Sequence, residues 1–439
     1  MIRSALIVLT VVVLMASART FVPTSISELA SPGVLLAFGF LVIAAVHVGN
    51  LFAALRLPRI TGYLLTGLAC GPDVGHLVSS SMLDSLTPIG GVAVGLIALS
   101  AGSELNFRRM QPRLRTVTVT GLLAVPLTAA VTASLTLVLA PRLPFLAGMS
   151  LSERLVVAGT LGVVFASLSP SVALALLSET GSDGPVSETV LGVVVLADLA
   201  IIVLFAVAHA LAAGVFHIGA PSGNLVRGIL IEVFGSMVVG IAVSATLALY
   251  VRRVRTKIAL FVLAICFVAA EVGARLHLDV LIICLTAGLL LENVWKVHGE
   301  SLREELAPAV LPVFSVFFAM AGARLHVRDL RSVGALALLF VIVRGLTLFA
   351  AGRGGASLAR ADASVWRWMP YGLLPQAGIS VGLAVLVARH FPTWGGGARA
   401  LILSVVTVNE LVGPVLLRWA LVRSGEAGRR LDGARHDAH

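Results

Sequence analysis

Charged side chains are scarce in this sequence. They make up 12% of the 439 residues, against 58% hydrophobic residues and a mean hydropathy of +1.02. A soluble chain of this length needs far more polar surface, so a soluble globular protein is excluded. Cysteine is rare too. Cys70, Cys266 and Cys284 lie far apart in apolar segments, form no metal-ligand spacing and read as buried thiols. No Gly-rich phosphate loop, HExxH motif or Ser/His/Asp arrangement occurs. Covalent catalysis therefore has no machinery here, and neither an enzyme nor a resident cofactor is expected.

Long apolar runs are what the sequence does have. Runs of about 20 such residues match the roughly 30 Å hydrocarbon layer of a bilayer. Thirteen follow residue 28: 29–55, 59–76, 85–105, 114–140, 153–178, 186–214, 226–250, 257–275, 278–296, 306–324, 332–352, 364–390 and 398–422. Connections are short, which leaves no room for a separate soluble domain. The expected fold is an all-α polytopic membrane protein, with a transmembrane domain over 29–422 and a polar, disordered cytoplasmic tail at 423–439. Residues 1–28 have a basic start, a short apolar core from Ala5 to Met15 and an Ala16-Ser17-Ala18 site. They read as a signal peptide or as an extra N-terminal helix.

The net charge of +10 follows from topology rather than from nucleic-acid binding. With residues 19–28 outside, 20 of the 32 basic residues fall in the inner loops and the C-terminal tail, and 10 fall outside. That is the positive-inside pattern, and it places the C-terminus in the cytoplasm. Two loops fit poorly. Loop 179–188 is acidic yet inside, and loop 324–331 is basic yet outside.

Two spans are interrupted. The fifth carries Ser167-Leu168-Ser169-Pro170 at its middle, and the twelfth carries Leu374-Pro375-Gln376-Ala377-Gly378, with Ser380 following. Backbone freed inside a membrane is tolerated where it lines a cavity, so paired Pro/Gly interruptions point to a transport site. If spans 1–6 and 8–13 are two repeats about span 7, both interruptions are the fifth helix of their repeat. The odd offset of seven spans makes such repeats inverted.

The sixth span holds a lone carboxylate, Asp198, in VVLADLAIIV. A charge at mid-membrane costs on the order of 3 kcal/mol on insertion scales and persists only with water, a partner ion or a proton. The same oxygens hold either H+ or a monovalent cation, and that competition is an exchange mechanism. Hard oxygen donors suit Na+ or K+. Asp198, the Ser169 hydroxyl and carbonyls freed by Pro170 are the candidate ligands. The structural alternative is that Asp198 pairs with Arg344 to tie helices together. Arg344 keeps its proton, so it serves charge balance or ion gating rather than proton transfer. Glu410, beside Asn409 in the thirteenth span, is a candidate for balancing Arg344. Glu271 reads as paired near a helix end, and His47 and His209 read as packed helix residues.

Several blocks, in order and spacing, carry a resemblance: LPRITGYLLTGLACGP (57–72), LIALSAGSELNF (96–107), FASLSPSVALALLSE (165–179), VVVLADLAIIVLF (193–205), LPVFSVFFAMAGARL (311–325), VIVRGLTLF (341–349) and LLPQAGISVGLA (373–384). Over about residues 33–422 the chain resembles the monovalent cation:proton antiporter superfamily, most closely its second family. The resemblance implies about thirteen helices, with a dimerisation domain beside a core domain in which two broken helices cross near the midplane. It also implies an elevator-like movement for alternating access, and a homodimer. The crossing helices fall on spans 5 and 12, the ion-binding aspartate on Asp198 and the basic residue of the eleventh span on Arg344. Relatives carry Asn, Asp or Gln before that aspartate, where this chain has Ala197. Many have Thr-Asp-Pro where it has Leu168-Ser169-Pro170. These departures leave the choice between Na+ and K+ open, and they leave Asp198 as the sole carrier of an electroneutral exchange. Readings from other classes are a transport-inactive sensor or scaffold of the same fold, and an organic-anion symporter.

Overall fold

The computed structural model of the protein describes residues 32–104, 107–217, 222–254, 258–276, 278–296, 312–325, 327–376 and 378–429. The segment 1–28, expected to be a signal peptide or extra helix, and residues 430–439 of the expected tail lie outside the described residues. All regular structure among the described residues is helical. The principal helices are α1 (Pro32–Ala54), α2 (Arg59–Cys70), α3 (Thr87–Glu104), α4 (Leu114–Val138), α5 (Leu151–Phe165), α6 (Pro170–Thr180), α7 (Pro185–Val215), α8 (Ser222–Arg253), α9 (Ile258–Leu276) and α10 (Val280–Asn293). They continue with α11 (Pro312–Ala323), α12 (Val327–Leu358), α13 (Gly378–His390) and α14 (Gly395–Arg423).

Among the described residues eight stretches are long and apolar enough to cross a membrane: Ala37–Ala54, Gln111–Val138, Leu151–Thr180, Pro185–Val215, Ile231–Arg253, Ile258–Leu276, Gly334–Leu358 and Gly395–Arg423. Shorter apolar helices cover Ile89–Ser100, Val280–Asn293, Pro312–Ala323 and Ile379–His390. Exposed Leu122, Val138, Val203, Leu211, Phe234, Val238, Leu260 and Leu346 stud these helices, a surface that suits lipid and not water.

Local chemistry sets several boundaries. α5 opens on a capping box in which the Ser150 hydroxyl accepts from the Glu153 N–H and the Glu153 carboxylate accepts from the Ser150 N–H. α6 opens with Ser169 as N-cap and Pro170 in its first turn, and ends on Gly181 in the left-handed region (φ 56°). Pro126 in α4 and Pro414 in α14 sit inside helices that continue through them.

The chain forms two compact units. The first takes residues 1–109 and 231–325, the second residues 110–230 and 326–439. In the first unit α3 packs on α10 through a reciprocal glycine contact. A Cβ on Gly102 would overlap the Leu285 carbonyl, and one on Gly288 would overlap the Leu99 carbonyl. Also in this unit, Glu271 pairs with Arg275 at 2.6 Å on an exposed turn of α9. In the second unit α4 packs against α5, α7 and α12, and α14 packs against α12 and α13. His209 is buried on α7 among the rings of Phe205, His390 and Phe391, a packed position.

The acidic loop 179–188 acquires an explanation within the second unit. Arg418 of α14 pairs with Glu179 at 3.1 Å, and Arg113 pairs with Glu188 at 2.6 Å. Basic residues from distant sequence offset the acids, so counting charge loop by loop misjudges this segment. The expectation of a disordered tail from 423 onward needs correcting. Ser424 to Arg429 form a turn packed on the second unit, and Glu426 is only 1% exposed.

Candidate functional site

Both expected interruptions are breaks in helix, and both lie in the second unit. Residues 166–169 separate α5 from α6. A short helix, Ala363–Trp368, runs into a 3-10 turn, Met369–Leu373, and Leu374, Pro375 and Gln376 are non-helical before α13 begins at Gly378. A helix end leaves carbonyls without intrahelical partners and carries partial negative charge. Two such ends inside an apolar unit need donors.

Arg344 supplies them. It sits on α12 and is fully buried. Its Nε donates to the Phe165 carbonyl at 2.7 Å and its Nη2 to the Ser167 carbonyl at 2.7 Å, while Nη1 donates to the Leu374 carbonyl at 2.9 Å. One planar guanidinium thus ties both breaks together, which a point-charge ammonium does not reproduce. Among the described residues Arg344 makes no ion pair. The alternative in which Asp198 is tied to Arg344 by an ion pair is not what holds this guanidinium, whose donors go to main-chain carbonyls. Two carbonyls at the first break, those of Phe165 and Ser167, are engaged by this side chain and are not open to an ion.

Side chains join the breaks as well. The Gln376 amide donates to the Val164 carbonyl at 3.2 Å and to the Ser167 hydroxyl at 3.3 Å. Ser167 and Ser380 share a short hydroxyl–hydroxyl hydrogen bond. Asn409 Nδ2 donates to Gln376 Oε1 at 2.9 Å, which brings α14 into the network. Pro375 is seated against Gly413, where a Cβ would stand 2.7 Å from the proline Cα. Ser169 is buried, and its hydroxyl accepts from the Val172 N–H at 3.3 Å, so the expected ion ligand is also the cap that restarts α6. Its Oγ lies 3.3 Å from that of Ser171.

Asp198 is 6% exposed near the middle of α7, and Glu410 is 3% exposed near the middle of α14. Both helices pack on the 3-10 turn that precedes the second break. Two buried carboxylates, a buried guanidinium and two opened helices thus belong to one unit. Among the described residues no group of three or more His, Cys, Asp and Glu side chains is arranged to hold a metal ion. Sequence reasoning missed the bridging role of Asn409 and the engagement of Phe165 and Leu374. The last two act through main-chain oxygens and leave no residue-type signal.

Comparison with known proteins bears on this arrangement. The profile described as "Sodium/hydrogen exchanger, transmembrane" matches residues 40–423. The ammonium/H(+) antiporter subunit AmhT of Alkalihalophilus pseudofirmus is 27% identical over 297 residues, 67% of this chain and 70% of that protein. The sodium proton antiporter MjNhaP1 of Methanocaldococcus jannaschii, solved at pH 8, superposes with a TM-score of 0.65 at 17% identity, covering 90% of this chain and 98% of that one. An electron-microscopy structure of the same archaeal protein gives 0.64. At such identity these likenesses show a shared fold.

Proposed function

The chain belongs to the sodium/hydrogen exchanger family, within the monovalent cation:proton antiporter superfamily, and from that premise we propose that it exchanges a monovalent cation, Na+ or K+, for protons by alternating access, with Asp198 as the shared site. It is a multi-pass membrane protein and a transporter rather than an enzyme. The observation that carries the reading is the burial of Asp198 in the unit where Arg344 joins the two helix breaks. A buried intramembrane carboxylate in the same unit as opened backbone is the arrangement expected of an ion pathway.

In this reading each group has its own part. Arg344 neutralises the carbonyl ends and stays charged, so it holds the breaks open without carrying protons. Asp198 changes occupancy: protonated, it is neutral and crosses the membrane without a cation; ionised, it binds one. The Ser169 hydroxyl is the second proposed ligand, and Glu410 supplies charge support. Thirteen spans in two inverted repeats, crossing broken helices, a homodimer, and a bacterial inner membrane with a cytoplasmic C-terminus complete the proposed picture. In that picture the second unit acts as the moving core and the first as the dimerisation domain.

The test is transport by reconstituted protein. Proteoliposomes with an imposed pH gradient should dissipate it when Na+ or K+ is added. Li+ and ammonium belong in the same series, the latter because a relative is named for it. Asp198→Asn keeps size and hydrogen bonding but cannot titrate, and exchange should be lost with the protein still folded. Normal exchange in this variant would sink the reading. No flux with any cation in the wild type would favour a transport-inactive sensor or scaffold.

A further inference from the structure

The chain does not leave the second unit where α14 ends at Arg423. The Ser424 N–H bonds the Ala420 carbonyl at 2.8 Å, Gly425 turns with φ 73°, and Glu426 is carried back against the start of α7. There its carboxylate is buried. Oε1 accepts from the Val186 N–H at 2.7 Å, and Oε2 accepts from the Ser187 N–H at 2.8 Å and the Ser187 hydroxyl at 2.7 Å. These N–H groups belong to the first turn of α7, which has no intrahelical acceptor for them and carries partial positive charge. The N-cap position is Gly184 (φ 150°), which has no side chain to offer, and a Cβ there would stand 2.7 Å from the Glu426 carboxyl carbon. The cap of α7 is thus supplied by a residue 240 positions away in sequence.

The same turn gathers other helix ends. The Gly428 N–H donates to the Thr180 carbonyl at the end of α6 at 3.0 Å, and the Asp183 N–H donates to the Glu426 carbonyl at 3.2 Å. Arg418 of α14 pairs with Glu179 of α6. Of the three helices joined here, α6 is capped by Ser169, α7 bears Asp198 and α14 bears Glu410. α7 is continuous from Pro185 to Val215, so a displacement of its first turn is carried along a hydrogen-bonded rod to the Asp198 turn.

We infer that Glu426 is a positioning residue of the ion site: an anionic cap, lent by the C-terminal segment, that fixes α7 and Asp198 in register with α6 and α14. This rests on Asp198 being the exchange site. It adds that the affinity of that site depends on a carboxylate outside it.

The experiment compares full-length wild type with Glu426→Ala, Glu426→Gln, Ser187→Ala and a chain ending after Arg429, which keeps Glu426. Each is purified, its folded fraction measured, and exchange followed in proteoliposomes with Na+ and with K+ over a range of pH. Glu426→Ala should raise the apparent KM for the cation by about fivefold or more, the size of a typical inter-site coupling, and should displace the pH profile. Glu426→Gln and Ser187→Ala should show smaller changes of the same kind, and the chain ending after Arg429 none. An unchanged KM and pH profile in folded Glu426→Ala protein would overturn the inference. A purely structural cap would lower the unfolding temperature and leave both parameters in place. Hydrogen–deuterium exchange gives a readout independent of transport. Residues 194–202, around Asp198, should exchange several-fold faster in Glu426→Ala and in Glu426→Gln. Fraying confined to residues 185–189 would overturn the inference even if no substrate cation had been found. Wild-type exchange that persists in Asp198→Asn would instead defeat the assignment of the site, and the two failures are thereby separate.

Discussion

The two halves of the second unit follow one plan with different chemistry. In each, a break leads into a short helix and then into a long continuous helix with a buried carboxylate near its middle. The first series is the break at 166–169, then α6, then Asp198 in α7; the second is the break at 374–376, then α13, then Glu410 in α14. The first break restarts its helix with local residues, Ser169 as cap and Pro170 just inside. The second depends on partners from elsewhere: Asn409 holds Gln376, Gln376 reaches Val164 and Ser167, and Gly413 makes room for Pro375. One break is thus written into its own sequence, and the other is imposed by packing. Arg344 serves both, with two donors on the first and one on the second.

The most damaging change removes what the halves share. Arg344→Met keeps bulk but leaves three interior carbonyls without donors. It should lower the stability of the second unit by about 3–5 kcal/mol, the scale on which breaking a buried charged contact acts. Arg344→Lys should recover only part of the loss, since one ammonium cannot span the three acceptors. Trp366, Trp368, Trp394 and Trp419 lie in the second unit, while Trp295 and Cys70, Cys266 and Cys284 lie in the first. In a Trp295→Phe background, tryptophan fluorescence therefore follows the damaged unit, and a thiol-reactive dye follows the other. An unchanged tryptophan midpoint in Arg344→Met would break the claim that one side chain supports both breaks.

The next changes touch the second break alone. Gly413→Val places atoms where the Pro375 backbone sits and should cost about 1–3 kcal/mol, the usual range for overpacking; a neutral result in chemical unfolding would show the seat to be dispensable. Gln376→Ala, which leaves Asn409 without its acceptor, should cost about 1–2 kcal/mol. Combined with Asn409→Ala, the two losses should be less than additive, because both remove the same bond. Strict additivity in a double-mutant cycle would contradict the bridge.

The asymmetry explains what could be read from the sequence. Apolar length marked where helices lie, though not their number or bounds, and the Ser-Pro pair located the first break, because capping chemistry resides in residue types. Proline alone was a poor guide. Pro126 and Pro414 interrupt nothing, although each lacks the N–H that an interior helical residue donates. The clustering of Ser, Gln and Gly around Pro170 and Pro375 was the better signal. Arg344 was identified as a supporting charge, yet its partners were not, since carbonyl oxygens are the same at every position. The role of Glu426 was hidden for a different reason: a carboxylate in a polar C-terminal stretch looks solvated until the helix start it caps is brought beside it.

The smallest expected effect separates the two buried carboxylates. Exchange moves net charge only if the numbers of cations and protons per cycle differ. Asp198 is preceded by Ala197, which cannot titrate, and the corresponding position at the first break is Ser169. Arg344 is committed to main-chain carbonyls and keeps its proton. If Asp198 is the exchange site proposed above, it is the one carrier on the α7 side, and one cation should be exchanged for one proton. Glu410 lies in the half whose polar groups hold the second break together, with neighbouring Asn409 bonded to Gln376, so its part should be support. Glu410→Gln should then leave the stoichiometry unchanged and lower the rate only a few-fold, in contrast to the loss expected for Asp198→Asn. A cycle moving one net charge would gain roughly 2.3 kcal/mol per 100 mV of imposed potential, so the alternatives are far apart. Proteoliposomes with a fixed gradient of the transported cation, clamped by an ionophore that does not carry it, should show the same flux at inside-negative, zero and inside-positive potential. Acceleration by one polarity in the wild type, abolished in Glu410→Gln, would make the second carboxylate a carrier and turn the two halves from unequal into equivalent.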